Sequence, residues 1–244
     1  MKKLGIVGGI GPASTIEYYK SINEGYQQRV QSKVKSGENP EMVIDSLNLA
    51  VAYELVEKKD WKNFADLFVN SIQNLANAGA EIAAMSANTA HIVFDEVSAR
   101  SPIPVVGLVD ETCKHAKAKG CKKIIVFGTG FTMKSGMYEK KCTNYGIEAI
   151  VPNETDQQVI HDIIFPNLVS GVVIESDRAA IKKIAEEMLQ KHQADALALA
   201  CTELPLLLKP GDLDIVLLDT TKIHIDAILD DILESNNKGR ESCF

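Results

Sequence analysis

Two segments of the chain read as copies of one another, and only one of them carries a thiol. Residues 79–90 are Gly-Ala-Glu-Ile-Ala-Ala-Met-Ser-Ala-Asn-Thr-Ala, and residues 193–204 are Gln-Ala-Asp-Ala-Leu-Ala-Leu-Ala-Cys-Thr-Glu-Leu. Each is an apolar run that ends in small and polar groups ahead of a predicted helix. Alignment sets Ala87 opposite Cys201. A thiol at a strand end and helix start is expected to ionise below the ~8.5 of free cysteine, because the local field favours thiolate. Such a group is reactive in principle. Two of them, facing each other across a cleft, would reach one carbon from opposite sides. A methyl at position 87 can neither take nor give a proton. The competing reading of Cys201 is inert packing, the usual fate of a buried free cysteine.

The other polar groups fall at equivalent turns. Gly8-Gly9-Ile10-Gly11-Pro12 follows the first predicted strand and opens a helix. Glycine admits a close backbone approach, and free N–H groups at a helix start attract an anion; a tight turn explains the same residues. The motif is not a dinucleotide fingerprint, since Gly9-x-Gly11 lacks the third glycine and Asp45 is misplaced for a ribose contact. Asn88, Thr89 and His91 start a helix after one strand, and Thr202 and Glu203 follow Cys201 after another. Helix capping is the ordinary role for Asn and Thr there. Gly128-Thr129-Gly130-Phe131-Thr132 repeats the pattern, with Thr129 and Thr132 as caps or as carboxylate donors. His224, on the last predicted helix, fits a structural role as well as a catalytic one.

Positioning these groups takes alternating strands and helices. Strands are predicted at Leu4–Gly9, Met42–Asn48, Ile82–Ala87, Ile103–Gly107, Lys123–Gly128, Glu148–Val151, Ala196–Cys201 and Ile215–Asp219. Helices are predicted at Ala13–Lys33, Trp61–Ala78, Thr89–Arg100, Val109–Lys119, Phe131–Tyr145, Asp156–Leu168, Asp177–His192 and Thr221–Ser235. Ser46–Glu54 reads as a loop and Asn236–Phe244 as a frayed polar tail. The alternation makes an α/β protein with mainly parallel sheets. The internal repeat argues for two similar Rossmann-like lobes, residues 1–107 plus 220–244 and residues 108–219. Ligands of such sheets sit beyond the carboxyl ends of the strands, where the turn residues above fall.

Composition narrows the partners. With 244 residues, 45% hydrophobic and 24% charged, the chain has the balance of an ordinary globule and the length for real cores. A net charge of −7 with scattered Lys and Arg disfavours nucleic acid and anionic membrane surfaces. No apolar run approaches the roughly 18 residues of a membrane span. Met-Lys-Lys runs straight into a strand, unlike a signal peptide. Five cysteines (113, 121, 142, 201 and 243) are an odd set without framework spacing, which points to reduced thiols and a cytoplasmic setting. With neither a Cys-x-x-Cys pair nor a His cluster, no metal site is expected.

Taken in chain order, five segments together resemble the aspartate/glutamate racemase family of cofactor-independent amino-acid racemases. They are Leu-Gly-Ile-Val-Gly-Gly-Ile-Gly-Pro at 4–12, Ser-Ala-Asn-Thr-Ala-His at 86–91, Val-Phe-Gly-Thr at 126–129, Ala-Cys-Thr-Glu-Leu at 200–204 and Asp-Thr-Thr at 219–221. The resemblance covers nearly the whole chain. It implies two α/β lobes related by a pseudo-twofold axis, a small amino acid in the cleft between them, no pyridoxal phosphate or metal, and a homodimer. It also implies one cysteine as thiolate on one face of Cα and another as thiol on the opposite face. Because Cα–H is a very weak acid, donors must be aimed at the substrate carboxylate as charge develops. The resemblance points to Asn88, Thr89, Thr129 and Thr202 for that task, with Gly9 and Gly11 lining the cleft and Ser46 and Glu203 as further substrate contacts.

Ala87 stands where the family's first cysteine belongs, and the adjacent Ser86 points to the other face of an extended strand. The segment Ser46–Glu54 holds no Arg or Lys to pair with a second carboxylate. Three functions therefore compete. One is an amino-acid racemase for aspartate or glutamate built on Cys201, impaired, one-sided or inactivated by the alanine. The second is a single-cysteine lyase or decarboxylase. The third is a non-catalytic binding protein for a small carboxylate.

Overall fold

β1 (Leu4–Gly8) is buried at every position in a computed structural model that describes residues 1–30, 38–165 and 167–238. Its Leu-Gly-Ile-Val-Gly sequence suits a central parallel strand, which meets packed side chains on both faces. After it come α1 (Pro12–Val30), β2 (Met42–Ser46), α2 (Leu49–Glu57), α3 (Trp61–Asn77), β3 (Ile82–Met85), a 3-10 turn (Thr89–Val93), α4 (Phe94–Arg100) and β4 (Val105–Val106). The strands are parallel in the order β2-β1-β3-β4. Register pairs Gly8 with Ser46 and Val7 with Met85, so these strands end nearly level. α1 buries Ser14, Tyr18, Ile22 and Tyr26, a four-residue spacing that keeps one face on the sheet. These elements form one compact unit, Met1–Gly107, together with the chain from His224 onward.

The second unit, Leu108–Ile223, repeats the scheme. It contains α5 (Leu108–Ala118), β5 (Lys123–Gly128), α6 (Gly130–Lys134), α7 (Met137–Thr143), β6 (Glu148–Ile150), α8 (Glu154–Ile164), a 3-10 turn (Leu168–Ser170), α9 (Glu175–His192), β7 (Ala196–Ala200), α10 (Leu204–Leu207), β8 (Val216–Asp219) and the start of α11 (Thr220–Lys238). The parallel order is β6-β5-β7-β8. Strand alternation splits the core. Ile125, Phe127, Leu197 and Leu199 face one cluster with residues of α8 and α9, while Ile124, Val126, Ala196 and Ala198 face another with residues of α5 and α7. The repeated segments of the sequence thus hold the same place in both sheets: β3 and β7 each follow two earlier strands and pair beside the first of them.

The expected α/β architecture is observed, with local departures. The second strand stops at Ser46, and the predicted loop over Ser46–Glu54 is largely α2, whose buried Ala52 and Val56 carry a helical spacing that the continuous apolar run hides. Asn48 is its N-cap, accepting the Ala50 N–H at 3.0 Å. The predicted helix over Phe131–Tyr145 is two short helices, broken at Gly136 with φ 70°. The helix over Thr89–Arg100 begins as a 3-10 turn, the strand over Ile103–Gly107 shrinks to β4, and the helix over Asp156–Leu168 ends at Ile164. α11 extends past Ser235 to Lys238, where a polar tail was expected, and 239–244 lie outside the described residues, as do residues 31–33 of the first predicted helix.

α11 secures the first unit. Ile225, Ile228, Leu229 and Ile232 join Leu4, Ile6, Tyr18, Ile22 and Tyr26 in one core. Within it lies His224, fully buried, with Nε2 3.0 Å from the Val106 carbonyl and Nδ1 2.8 Å from the Tyr18 hydroxyl. A carbonyl only accepts, so Nε2 carries the proton and Nδ1 accepts from Tyr18. Burial is the main cause that lowers the His224 pKa to about 3, with the charge on His91 adding and the Val106 carbonyl opposing.

The consequence for stability has a definite sign. Unfolded His224 titrates near ~6.5, whereas the folded pKa is about 3. Between these values the unfolded chain binds the extra proton, so this contribution is full above ~6.5 and is lost as pH falls towards 3, amounting to several kcal/mol. Urea denaturation from pH 7 to pH 4 should show that loss, and His224→Gln should be less stable at pH 7 with a shallower slope. Equal slopes in the two proteins would refute this account of His224.

Candidate active site

In the first unit the strand ends bring six of the expected residues to one edge. Gly9 follows β1 with φ 83°, and a Cβ there would lie 2.1 Å from the Leu47 carbonyl oxygen, so only glycine fits the turn. Its N–H donates to Thr15 Oγ1 at 2.9 Å, and Gly11 completes the turn into α1. Ser46, at the end of β2, is exposed and pairs in register with Gly8. Ala87, Asn88 and Thr89 follow β3, with Asn88 buried and the other two half-buried. The Asn88 side chain makes no capping bond to the turn that follows, so the expected cap is not what it provides. His91 instead places Nδ1 2.9 Å from the Ala87 carbonyl and stacks on Phe94. Ser86 is turned inward, its Oγ donating to the Val7 carbonyl at 3.1 Å.

The second unit gathers Thr129, Cys201, Thr202 and Glu203. Gly128 is in register with Ala200, so the residues after β5 and β7 leave the sheet side by side. Thr129 Oγ1 accepts the Thr132 N–H and donates to Thr132 Oγ1, each at 3.2 Å, which is the capping role. Cys201 is 9% exposed, and its Sγ donates to Glu203 Oε2 at 2.9 Å. Thr202 Oγ1 donates to the same oxygen at 2.8 Å. Glu203 is itself buried, so two donors converge on a desolvated carboxylate.

This arrangement reverses the expected direction of the thiol pKa. Burial pushes Cys201 well above the ordinary thiol range, and the charge and hydrogen bond of Glu203 push it further; the backbone N–H groups of Glu203 and Thr202 pull only weakly the other way. The helix that was to stabilise a thiolate is a single turn of four residues, α10, too short to supply a field. The resting group is therefore a thiol hydrogen-bonded to a carboxylate. Acid–base exchange between the two is the chemistry the pair can perform.

Other candidates separate from this edge. Cys113 and Cys142 bury their sulfurs 2.8 Å apart between α5 and α7, Cys121 is buried, and Cys243 lies outside the described residues. His224 is a core residue, as described above. No group of three His, Cys, Asp or Glu residues among those described could hold a metal ion, and no described helix is long and apolar enough to cross a membrane. One neighbour carried no sequence signal: His161, on α8, accepts the Gly130 N–H at Nδ1 from a position 31 residues away.

Comparison with known proteins bears on the family and the fold. The profile of the Asp/Glu/hydantoin racemase family matches residues 7–228. The broad specificity amino-acid racemase RacX of Bacillus subtilis (strain 168) is 26% identical over 221 residues, 89% of this chain and 92% of its own length. A candidate Asp/Glu racemase from Yersinia pestis has a solved structure with a TM-score of 0.87 and 32% identity, covering 96% of this chain and 100% of its own. An aspartate racemase homologue from Pyrococcus horikoshii OT3 aligns with a TM-score of 0.80 and 31% identity over the same shares.

The Cys201–Glu203 contact predicts a reluctant thiolate. Alkylation of the Cys201 peptide, followed by mass spectrometry against pH, should have a midpoint above the ~8.5 of free cysteine. Glu203→Gln removes the charge and should move that midpoint down. A wild-type midpoint below pH 8 would contradict the arrangement.

Proposed function

The chain belongs to the Asp/Glu/hydantoin racemase family, and on that premise we propose that it is an amino-acid racemase, for aspartate or glutamate, that moves the Cα proton through Cys201. The observation that carries this reading is the pair of hydrogen bonds converging on Glu203 Oε2, from Cys201 Sγ at 2.9 Å and Thr202 Oγ1 at 2.8 Å. A thiol held against a carboxylate can run in both directions. As a base, it first gives its proton to Glu203. The thiolate then removes the Cα proton, leaving a carbanion delocalised into the substrate carboxylate. As an acid it delivers its proton to that carbanion and recovers one from Glu203. The balance is complete each way: one proton on sulfur, one on Glu203 or Cα.

Thr202 has its hydroxyl hydrogen committed to Glu203 and serves by holding that carboxylate in place. Asn88, Thr89, Thr129, Gly9, Gly11 and Ser46 are the proposed substrate contacts, on the strength of the family resemblance. A homodimer and a cytoplasmic setting belong to the same proposal. At position 87 the methyl group leaves the second proton carrier missing. Proton exchange on one face is then expected to outrun racemisation, which needs delivery to the other face.

A lyase reading also draws on one observation, that Cys201 rests as a thiol beside a single carboxylate, since protonating a carbanion left by carbon dioxide loss takes only one donor. Carbon dioxide release from a malonate-type acid, abolished by Cys201→Ala, would select it.

Each enantiomer of aspartate and glutamate, incubated with the protein in heavy water, should acquire α-deuterium unequally, and Cys201→Ala should acquire none. Ala87→Cys should raise racemisation by about 10²-fold or more, the scale of one acid–base group. Chiral chromatography with mass spectrometry reads both. No exchange from any substrate, with no gain from the added cysteine, would defeat the racemase reading.

A further inference from the structure

We infer that His161 is a specificity-determining residue of this site, its Nε2–H donating to a carbonyl or carboxylate oxygen on the substrate's side chain. The inference rests on the reading of Cys201 as the proton carrier. It deepens that reading by naming what selects the substrate.

The geometry begins with a backbone group. Gly130, the first residue of α6 and the neighbour of Thr129, points its N–H at His161 Nδ1 over 3.2 Å. An N–H can only donate, so Nδ1 must be the lone-pair nitrogen and the ring's proton must sit on Nε2. Phe131 meets the ring edge-on with centroids 5.9 Å apart, and Phe165 lies against it at 5.1 Å. A hydrogen bond and two aromatic neighbours fix the tautomer and the orientation together. The ring is half-buried, and Nε2 makes no hydrogen bond to any described residue. The result is an oriented neutral donor.

The backbone group it accepts from follows the same strand pairing that places the thiol. Thr129–Gly130 and Cys201 leave adjacent strands whose last residues, Gly128 and Ala200, are in register. Ile160 and Ile164, which flank His161 on α8, share one buried cluster with Met133 of α6, Cys201 and Leu204. The charged groups that act on the ring are Asp162 and Lys134. Burial lowers the basicity of His161, with Lys134 adding and Asp162 opposing, so the ring stays neutral near pH 7. A neutral donor suits side chains that end in an acceptor. It gives nothing to an aliphatic one, which would leave the N–H unpaired.

The test uses the full chain, His161→Ala and His161→Gln, with both enantiomers of aspartate, glutamate, asparagine, glutamine, alanine and leucine. Calorimetry reads binding, and exchange in heavy water reads turnover. The wild type should prefer the four acceptor-bearing amino acids, with amides and carboxylates separated by the comparison of asparagine with aspartate. His161→Ala should weaken those four about tenfold or more in Kd and KM, spare alanine and leucine, and leave kcat within about threefold. His161→Gln, which restores an N–H donor, should recover part of the preference. A purely structural role would instead lower Tm and weaken all six alike, and an unchanged rank order in His161→Ala overturns the inference. Binding without exchange in the wild type, with His161→Ala still flattening the preference, would uphold His161 and defeat only the racemase reading. A wild type that binds none of the six defeats both.

Discussion

Parallel strands paired in register must deliver their carboxyl ends to one edge, and the candidate site of this chain depends on that constraint. β5 and β7 run together from Ile124 opposite Ala196 to Gly128 opposite Ala200. Whatever follows them emerges together: Thr129 and Gly130 on one side, Cys201, Thr202 and Glu203 on the other. The approach is close enough to govern residue choice, since a Cβ at Gly128 would lie 2.8 Å from the Ala200 carbonyl oxygen. The first sheet obeys the same rule, with Gly9, Ser46 and Ala87 following strands that end nearly level.

Once at that edge, the thiol is governed by desolvation and by its nearest charge. A buried carboxylate is costly without donors, and Glu203 obtains two, from the side chains of Cys201 and Thr202. The same contact that satisfies Glu203 keeps the Cys201 proton on sulfur. Stability of the carboxylate and reluctance of the thiol are thus one interaction. His224 is a parallel case in the first unit, where burial holds the ring neutral and hydrogen bonds to Tyr18 and Val106 satisfy both of its nitrogens.

Much of the fold was legible because its signals are local. Strand β7 reads Ala-Leu-Ala-Leu-Ala, with leucines on one face and alanines on the other, as the two core clusters require. α3 shows Phe64, Phe68, Ile72 and Leu75 at helical spacing. The failures have local causes as well. α2 hides in an apolar run whose period is blurred, and the segment over 131–145 carries helical residues on both sides of a glycine that breaks them. At the candidate site, residue types were legible and their partners were not. Nothing in Cys-Thr-Glu says that the carboxylate folds back onto the sulfur two positions before it.

By itself, the sequence determined the alternation of strands and helices, the repeated strand-end segment, the single thiol at position 201 and the methyl at position 87. These follow from residue type and short-range order. Only the tertiary structure decided that Cys201 is buried against Glu203, that Thr129 spends its hydroxyl on a helix cap, and that His161 meets the Gly130 N–H from a distant helix. Protonation state and donor direction depend on what surrounds a group in space, and pairing between strands and helices far apart in the chain creates those surroundings.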